Sequence, residues 1–252
     1  MSKGKEFNFV TTFGTQHAWG HDMVASCDKF LPDNCKITVY LDADLPEDQG
    51  RVEYKRLPEE RISKFINSIQ PYRDSKIPPT EKIMTKRYVD KVMYLWDASR
   101  FCFKMFAMDE AVKTQEERYM VWCDADVLFH KSVSKIFLNS LVQTGKYVSY
   151  LDRKTRHSET GFLIYDTSHP YHKTWWSIVR KMYDDLELVN LKEGWTDSHV
   201  FDHILKISID TGMVGHVRLS DGAKNAWEES PLKDYCKHYK GMQVSGEHGA
   251  NK

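Results

Sequence analysis

The stretch YMVWCDADVLF, residues 119–129, decides which fold and which chemistry this chain is expected to have. Its first five residues are apolar or aromatic and predict a buried β-strand. The strand runs directly into two acids, Asp124 and Asp126, and a second apolar run follows them. In open α/β sheets, ligands bind outside the carboxyl ends of the strands. The stretch therefore predicts a strand inside a sheet, with two carboxylates facing a ligand site.

Strand-like and helix-like segments alternate on both sides of this stretch. The other predicted strands are Phe7–Thr12 and residues 36–41, 52–57, 147–151 and 161–165. Helical spacing covers residues 22–30, 81–113, 170–183 and 197–205, and the three prolines within 70–80 predict a loop. This alternation of strands and helices predicts an α/β fold with a mostly parallel central sheet flanked by helices.

Composition limits the kinds of binding partner and the cellular compartment that are expected for this chain. The 252 residues fit one α/β domain, and 36 basic side chains balance 36 acidic ones. A bulk attraction to nucleic acid or to an anionic membrane is therefore not expected. There are five cysteines and no C-x-x-C pair, which favours a reducing compartment. No apolar stretch is long enough to span a bilayer, so a cytoplasmic location is expected.

The two acids at the strand end suit a hard divalent cation. Carboxylate oxygens are the ligands that Mg²⁺ and Mn²⁺ prefer. An Asp-x-Asp string alone is a weak signal, because acids at a strand end can simply be solvated. A second copy, Asp42 and Asp44, follows the strand at residues 36–41. We favour Asp124 and Asp126 because apolar residues both precede and follow them, while Asp42 could still face the same cleft.

Near the other end of the chain lies the string YCKHYKGM, residues 235–242. His238 could supply a third metal ligand through a neutral ring nitrogen. Lys240 is a natural partner for phosphate oxygens, and Gly241 allows a close backbone approach. Taken alone, a histidine in a polar tail is usually solvated.

Together, the Thr11-Thr12 strand end, Asp124-x-Asp126 and His238-x-Lys240-Gly241 resemble the GT-A-fold glycosyltransferases. The likeness is greatest to the glycogenin-like and bacterial galactosyltransferase group, and small virus- and phage-encoded enzymes of this fold are similar in size. It covers most of the chain in order, through short spaced motifs. One departure is that the group usually shows His-x-x-Gly-x-x-Lys-Pro-Trp, whereas this chain has His-Tyr-Lys-Gly-Met-Gln.

The resemblance implies a single Rossmann-like domain over residues 1–252, with a nucleotide-binding part to about 130 and an acceptor-binding part after it. It implies Mn²⁺ or Mg²⁺ on Asp124, Asp126 and His238. The donor would be UDP-glucose or UDP-galactose, and a glycan or other hydroxyl would accept the sugar with retention. Expected donor contacts are Thr11, Thr12, Asp42, Arg100, Lys104, Asp124, Ala125, Lys240 and Gly241. Asp197 and Glu159 are the expected catalytic acids, and Trp195 could stack on a sugar.

Two other functions remain open at this point. A haloacid-dehalogenase-like phosphatase also uses an Asp-x-Asp after a strand, but its motif has Thr or Val four residues past the first Asp. Leu128 stands there in one copy of the string and Pro46 in the other. A nucleotide-sugar-binding module without turnover would share its residues with the transferase.

Overall fold

The computed structural model describes residues 6–76, 93–154, 156–222 and 225–239. Its strands are β1 Phe7–Thr12, β2 Cys35–Leu41, β3 Val52–Arg56, β4 Tyr119–Cys123, β5 Val127–Phe129, β6 Val148–Leu151, β7 Glu159–Asp166, β8 His216–Arg218 and β9 Cys236–His238. Its α-helices are α1 Ala18–Phe30, α2 Glu59–Ser75, α3 Ala98–Thr114, α4 Lys135–Ser140, α5 His172–Asp184 and α6 Asp197–Asp210.

Seven strands form the main sheet in the order β3-β2-β1-β4-β7-β6-β8. Strands β3, β2, β1 and β4 pair in parallel, as do β6 and β8, whereas β7 is antiparallel to β4 and β6. Parallel neighbours need crossover connections, and α1 lies in the one between β1 and β2. The predicted α/β fold with a mostly parallel central sheet is confirmed.

Both faces of the sheet are buried, which explains the continuous apolar run of β4. Met120 and Trp122 point into a core shared with α2, α3, α5 and α6. The alternate residues Tyr119, Val121 and Cys123 point into a second core that includes residues of α1. Side chains of a strand alternate between its two faces, so a strand covered on both sides carries no polar positions.

A small second sheet brings distant parts of the chain together. Strand β5 follows the acid pair directly and pairs antiparallel with β9, with Val127 opposite His238. Beyond the paired residues, the Tyr239 N–H donates to the Asp126 carbonyl over 2.8 Å. Residues 236–239 are therefore fixed beside Asp124 and Asp126.

The loop predicted for residues 70–80 is wrong in its first part. Helix α2 runs from Glu59 to Ser75 and passes through Pro71. Ile62, Phe65 and Ile69 bury one face of this helix, and that packing outweighs the backbone hydrogen bond that proline lacks. The other two prolines and residues 81–92 of the helix predicted for 81–113 lie outside the described residues. In the part of that helix that is described, residues 93–95 are helical and α3 begins at Ala98.

All five cysteines are buried. In the described ranges, no helix combines the length and hydropathy that crossing a bilayer would require.

Candidate active site

A cleft of about 820 Å³ opens at the carboxyl ends of three neighbouring parallel strands. Thr12 at the end of β1, Asp42 just after β2, and Asp124 just after β4 all line it. Their adjacency follows from the sheet order, in which β1 lies between β2 and β4. The cleft is therefore where ligands of an open α/β sheet bind.

Three residues at one end of this cleft form a possible metal centre. Asp124, Asp126 and His238 each offer a ligand atom, and these atoms lie within 4.8 Å of one another. His238 Nε2 is 3.0 Å from Asp126 Oδ1. Two carboxylates and an imidazole suit a divalent cation that accepts oxygen and nitrogen ligands. Within the described ranges, this is the only group of three or more such residues that meets this distance.

The first acid of the pair is held from two sides. Asp124 Oδ1 accepts hydrogen bonds from Trp122 Nε1 at 2.6 Å and from Lys104 Nζ at 3.1 Å. Gly161 lies against the other oxygen, because a Cβ at this position would stand 3.1 Å from Asp124 Oδ2. Burial raises the pKa of Asp124 above its ordinary value, although the Lys104 ammonium opposes that shift.

A buried lysine connects the acid pair to helix α6. Lys104 Nζ lies 2.7 Å from Asp197 Oδ2 and donates to the Thr160 carbonyl at 2.6 Å. Thr160 Oγ1 also donates to Asp197 Oδ2, at 2.7 Å. Burial works against the ionised form of Asp197, but the Lys104 charge and these hydrogen bonds outweigh it and lower the pKa of Asp197. For Lys104, burial is likewise outweighed by Asp124 and Asp197, which raise its pKa.

The second expected catalytic acid belongs to a separate pair. Glu159 is buried at the start of β7, and its Oε2 contacts the Arg153 guanidinium. Its other oxygen accepts from the Gly161 N–H at 3.3 Å. Both Glu159 and Arg153 line the cleft. No motif of the sequence marks Arg153, because the residues that it faces are brought to it by the fold.

The structure brings most of the expected donor contacts to the cleft wall. Thr12, Asp42, Arg100, Lys104, Asp124 and Ala125 line it. Arg100 and Lys104 lie four residues apart on α3, although Arg100 is exposed and Lys104 is buried. Thr11 is the exception, because it is 1% exposed and is not part of the cleft lining. Lys240 and Gly241 lie outside the described residues.

The suggestion that Trp195 stacks on a sugar is wrong. Its side chain is fully buried and packs edge-to-face on Trp96, with ring centroids 5.1 Å apart. The aromatic side chains that do line the cleft include Trp19, which stacks on His17 at 4.9 Å, and Tyr94, which is half exposed. Sequence reasoning did not place His17 or Tyr94 at a site, because neither belongs to a short motif.

No family model and no curated protein matches the chain. Among solved structures, it is similar to mouse xyloside xylosyltransferase 1 in the apo form, at 9% identity over 91% of each chain with a TM-score of 0.44. It is also similar to the glycosyltransferase GlyE of Streptococcus pneumoniae TIGR4, at 12% identity over 86% of this chain and 46% of that one with a TM-score of 0.47. A third is the galactosyltransferase LgtC with donor and acceptor sugar analogs, at 10% identity over 84% of this chain and 73% of that one with a TM-score of 0.44. At these identities and TM-scores the likenesses carry no argument about function, which has to be inferred from the residues of the cleft.

Proposed function

We propose that this chain is a metal-dependent GT-A-type glycosyltransferase, which moves a sugar from UDP-glucose or UDP-galactose to a hydroxyl of a glycan or similar acceptor, with retention. The observation that carries the proposal is the meeting of Asp124, Asp126 and His238 at one end of a large cleft at the strand ends. In the proposed division of labour, residues to about 130 bind the nucleotide and later residues bind the acceptor.

The three ligand residues would hold Mn²⁺ or Mg²⁺, which when bound would neutralise charge on the departing diphosphate. The protein's own task is to present these ligands in a fixed arrangement. Trp122 and Lys104 orient Asp124 through Oδ1. The pairing of β5 with β9 holds His238 opposite Val127, one residue after Asp126. A site assembled in advance needs little reorganisation when the donor binds.

We assign the other residues of the cleft to contacts with either the nucleotide or the sugar of the donor. Thr12, Asp42 and Trp19 lie on its β1–β2 side and could contact base or ribose. Arg100 is exposed at the wall and could pair with phosphate oxygens. Asp197 and Glu159 face the cleft next to the acid pair and would accept hydrogen bonds from the sugar hydroxyls.

The ion pairs of the two candidate acids support transfer with retention of the anomeric configuration. An inverting transferase needs a carboxylate base with a pKa near the working pH on the far face of the sugar. Asp197 is bound by Lys104 and Thr160, and its pKa lies below the ordinary value, so it is a weak base. Glu159 is paired with Arg153. Both acids are suited to orient a sugar rather than to remove a proton from the acceptor.

Calorimetric titration of UDP, with and without Mn²⁺, tests the donor site. The wild type should bind UDP only when Mn²⁺ is present, and Asp126→Ala should lose that binding. Asp44→Ala is the matched control, because it alters the other Asp-x-Asp copy at an exposed position that does not line the cleft. UDP release from each UDP-sugar then measures turnover, and NMR of the product's anomeric proton reports its configuration.

Each alternative has its own signature in the same experiments. Absence of UDP binding under both conditions, together with hydrolysis of p-nitrophenyl phosphate, would establish the phosphatase. Tight UDP-sugar binding without UDP release, over a panel of acceptors, would establish a binding module.

A further inference from the structure

A second cavity of about 740 Å³ shares His238 with the proposed metal centre. His238 and Arg153 line both this cavity and the donor cleft. A group bound in it would therefore approach the place where the sugar of the donor is held. This position suits the acceptor, because the acceptor hydroxyl must reach the anomeric carbon.

Cationic side chains dominate the lining of this cavity. Arg153, Arg156, Lys233 and Lys237 line it, against the two carboxylates of Glu228 and Glu229. Arg156, Lys233 and Lys237 are exposed, and no ion pair joins any of them to a described residue. Lys237 Nζ lies 4.8 Å from the centre of the Tyr239 ring, a contact that keeps the cation near the cavity wall without neutralising it.

Buried polar atoms around the cavity also lack partners. Trp227 Nε1, Arg153 Nε and His238 Nδ1 make no hydrogen bond to any described residue, and all three side chains line the cavity. Buried donors in folded proteins are nearly always satisfied by protein, water or ligand. Ordered water or a polar ligand would satisfy these atoms.

We infer that the second cavity is the acceptor site and that it selects an anionic sugar, one with a carboxylate or phosphate group bound by Arg156 and Lys237. The inference rests on the proposed transferase function. Guanidinium and ammonium groups bind carboxylate and phosphate through charge-assisted hydrogen bonds. Glu228 and Glu229 can accept hydrogen bonds from the neutral hydroxyls of the same sugar.

The test compares acceptors that differ in the group at C6, which is neutral in one and anionic in the other two. Transfer from the UDP-sugar is measured to methyl glucoside, methyl glucuronide and methyl glucoside 6-phosphate. An anionic acceptor should have a kcat/KM at least tenfold above that of the neutral one, and the difference should shrink as ionic strength rises. Arg156→Ala and Lys237→Ala should each raise the KM for the anionic acceptor about tenfold and reduce the selectivity. Lys173→Ala, an exposed lysine on α5, is the control and should change neither.

The outcomes separate this inference from the function on which it rests. Mn²⁺-dependent UDP binding, measured by calorimetry without acceptor, reports on the donor site alone. If that binding is absent, the proposed function fails. If UDP binds and sugar is transferred, but neutral and anionic acceptors are used equally well or Arg156→Ala and Lys237→Ala leave the selectivity intact, the anionic acceptor site is wrong and the transferase stands.

Discussion

The Lys104 ammonium lies 2.7 Å from Asp197 Oδ2 and 3.1 Å from Asp124 Oδ1, so one buried cation joins the acid pair to helix α6. Lys104 is only 8% exposed. A buried charge is tolerated when it is paired and hydrogen-bonded, and the Thr160 carbonyl supplies a third acceptor. Removing the lysine would leave two neighbouring carboxylates without compensation.

We therefore expect Lys104→Met to destabilise the fold. Breaking a buried ion pair by deleting one partner typically costs about 3–5 kcal/mol, because the remaining charge stays desolvated. The free energy of unfolding, measured with urea at pH 7, should fall by about that amount. Lys113→Ala removes an exposed lysine from the same helix that pairs with Glu110, and should cost less than about 1 kcal/mol. Equal losses in the two variants would mean that Lys104 is not a structural cation.

The burial and the ion pairs of Lys104 could not be predicted from the sequence. Lys104 follows Arg100 by four residues, a spacing that places both on one side of a helix, because helical periodicity is a local property. Its burial depends on Asp197 and Thr160, which β7 and α6 bring to it from much later in the chain. Such contacts leave no mark in the sequence near the lysine.

The acids Asp124 and Asp126 and the histidine His238 also differ in how far the sequence alone predicts them. The strand before Asp124 was predictable, because a strand buried on both faces must be apolar throughout. His238 was suggested by its ring chemistry and by resemblance, and not by any pattern of its strand, since the three-residue strand β9 is too short to give a periodic signal. The helix through Pro71 was missed because the proline outweighed the apolar spacing of Ile62, Phe65 and Ile69.

Gly161 tests how closely the site is packed around Asp124. A Cβ there would stand 3.1 Å from Asp124 Oδ2 and 3.3 Å from the Trp227 ring. Asp124 cannot move freely, because Trp122 and Lys104 hold its other oxygen. We expect Gly161→Ala to weaken Mn²⁺-dependent UDP binding about tenfold, or about 1.4 kcal/mol, by displacing the carboxylate.

The control for that variant is Gly215→Ala. A Cβ at Gly215 would meet mainly the flexible Lys146 side chain, which can move aside. UDP binding by this variant should match that of the wild type in the same titration. Unchanged binding by Gly161→Ala would show that Asp124 adapts or does not contact the metal.

His172 predicts part of the response of stability to pH. It lies buried at the start of α5, and its Nδ1 is 3.1 Å from the Tyr147 hydroxyl. Burial lowers the pKa of His172 to about 4, from the ordinary value of about 6.5, although Asp166 opposes the shift. Above pH 6.5 the ring is neutral in both states, so its contribution to stability is complete. Between pH 6.5 and 4 the His172 ring is protonated in the unfolded chain but stays neutral in the folded chain. The free energy of unfolding therefore falls as the pH falls.

We expect the free energy of unfolding of His172→Gln to decline less steeply than that of the wild type between pH 6.5 and 4, as measured by urea denaturation at half-unit intervals. Tyr147→Phe keeps the buried imidazole and removes only the hydroxyl, so it should retain the wild-type slope, since burial is the main cause of the shift. A slope that flattens in Tyr147→Phe as much as in His172→Gln would assign the pH dependence to the hydrogen bond instead. An unchanged slope in His172→Gln would mean that this ring is protonated as easily in the folded chain as in the unfolded one.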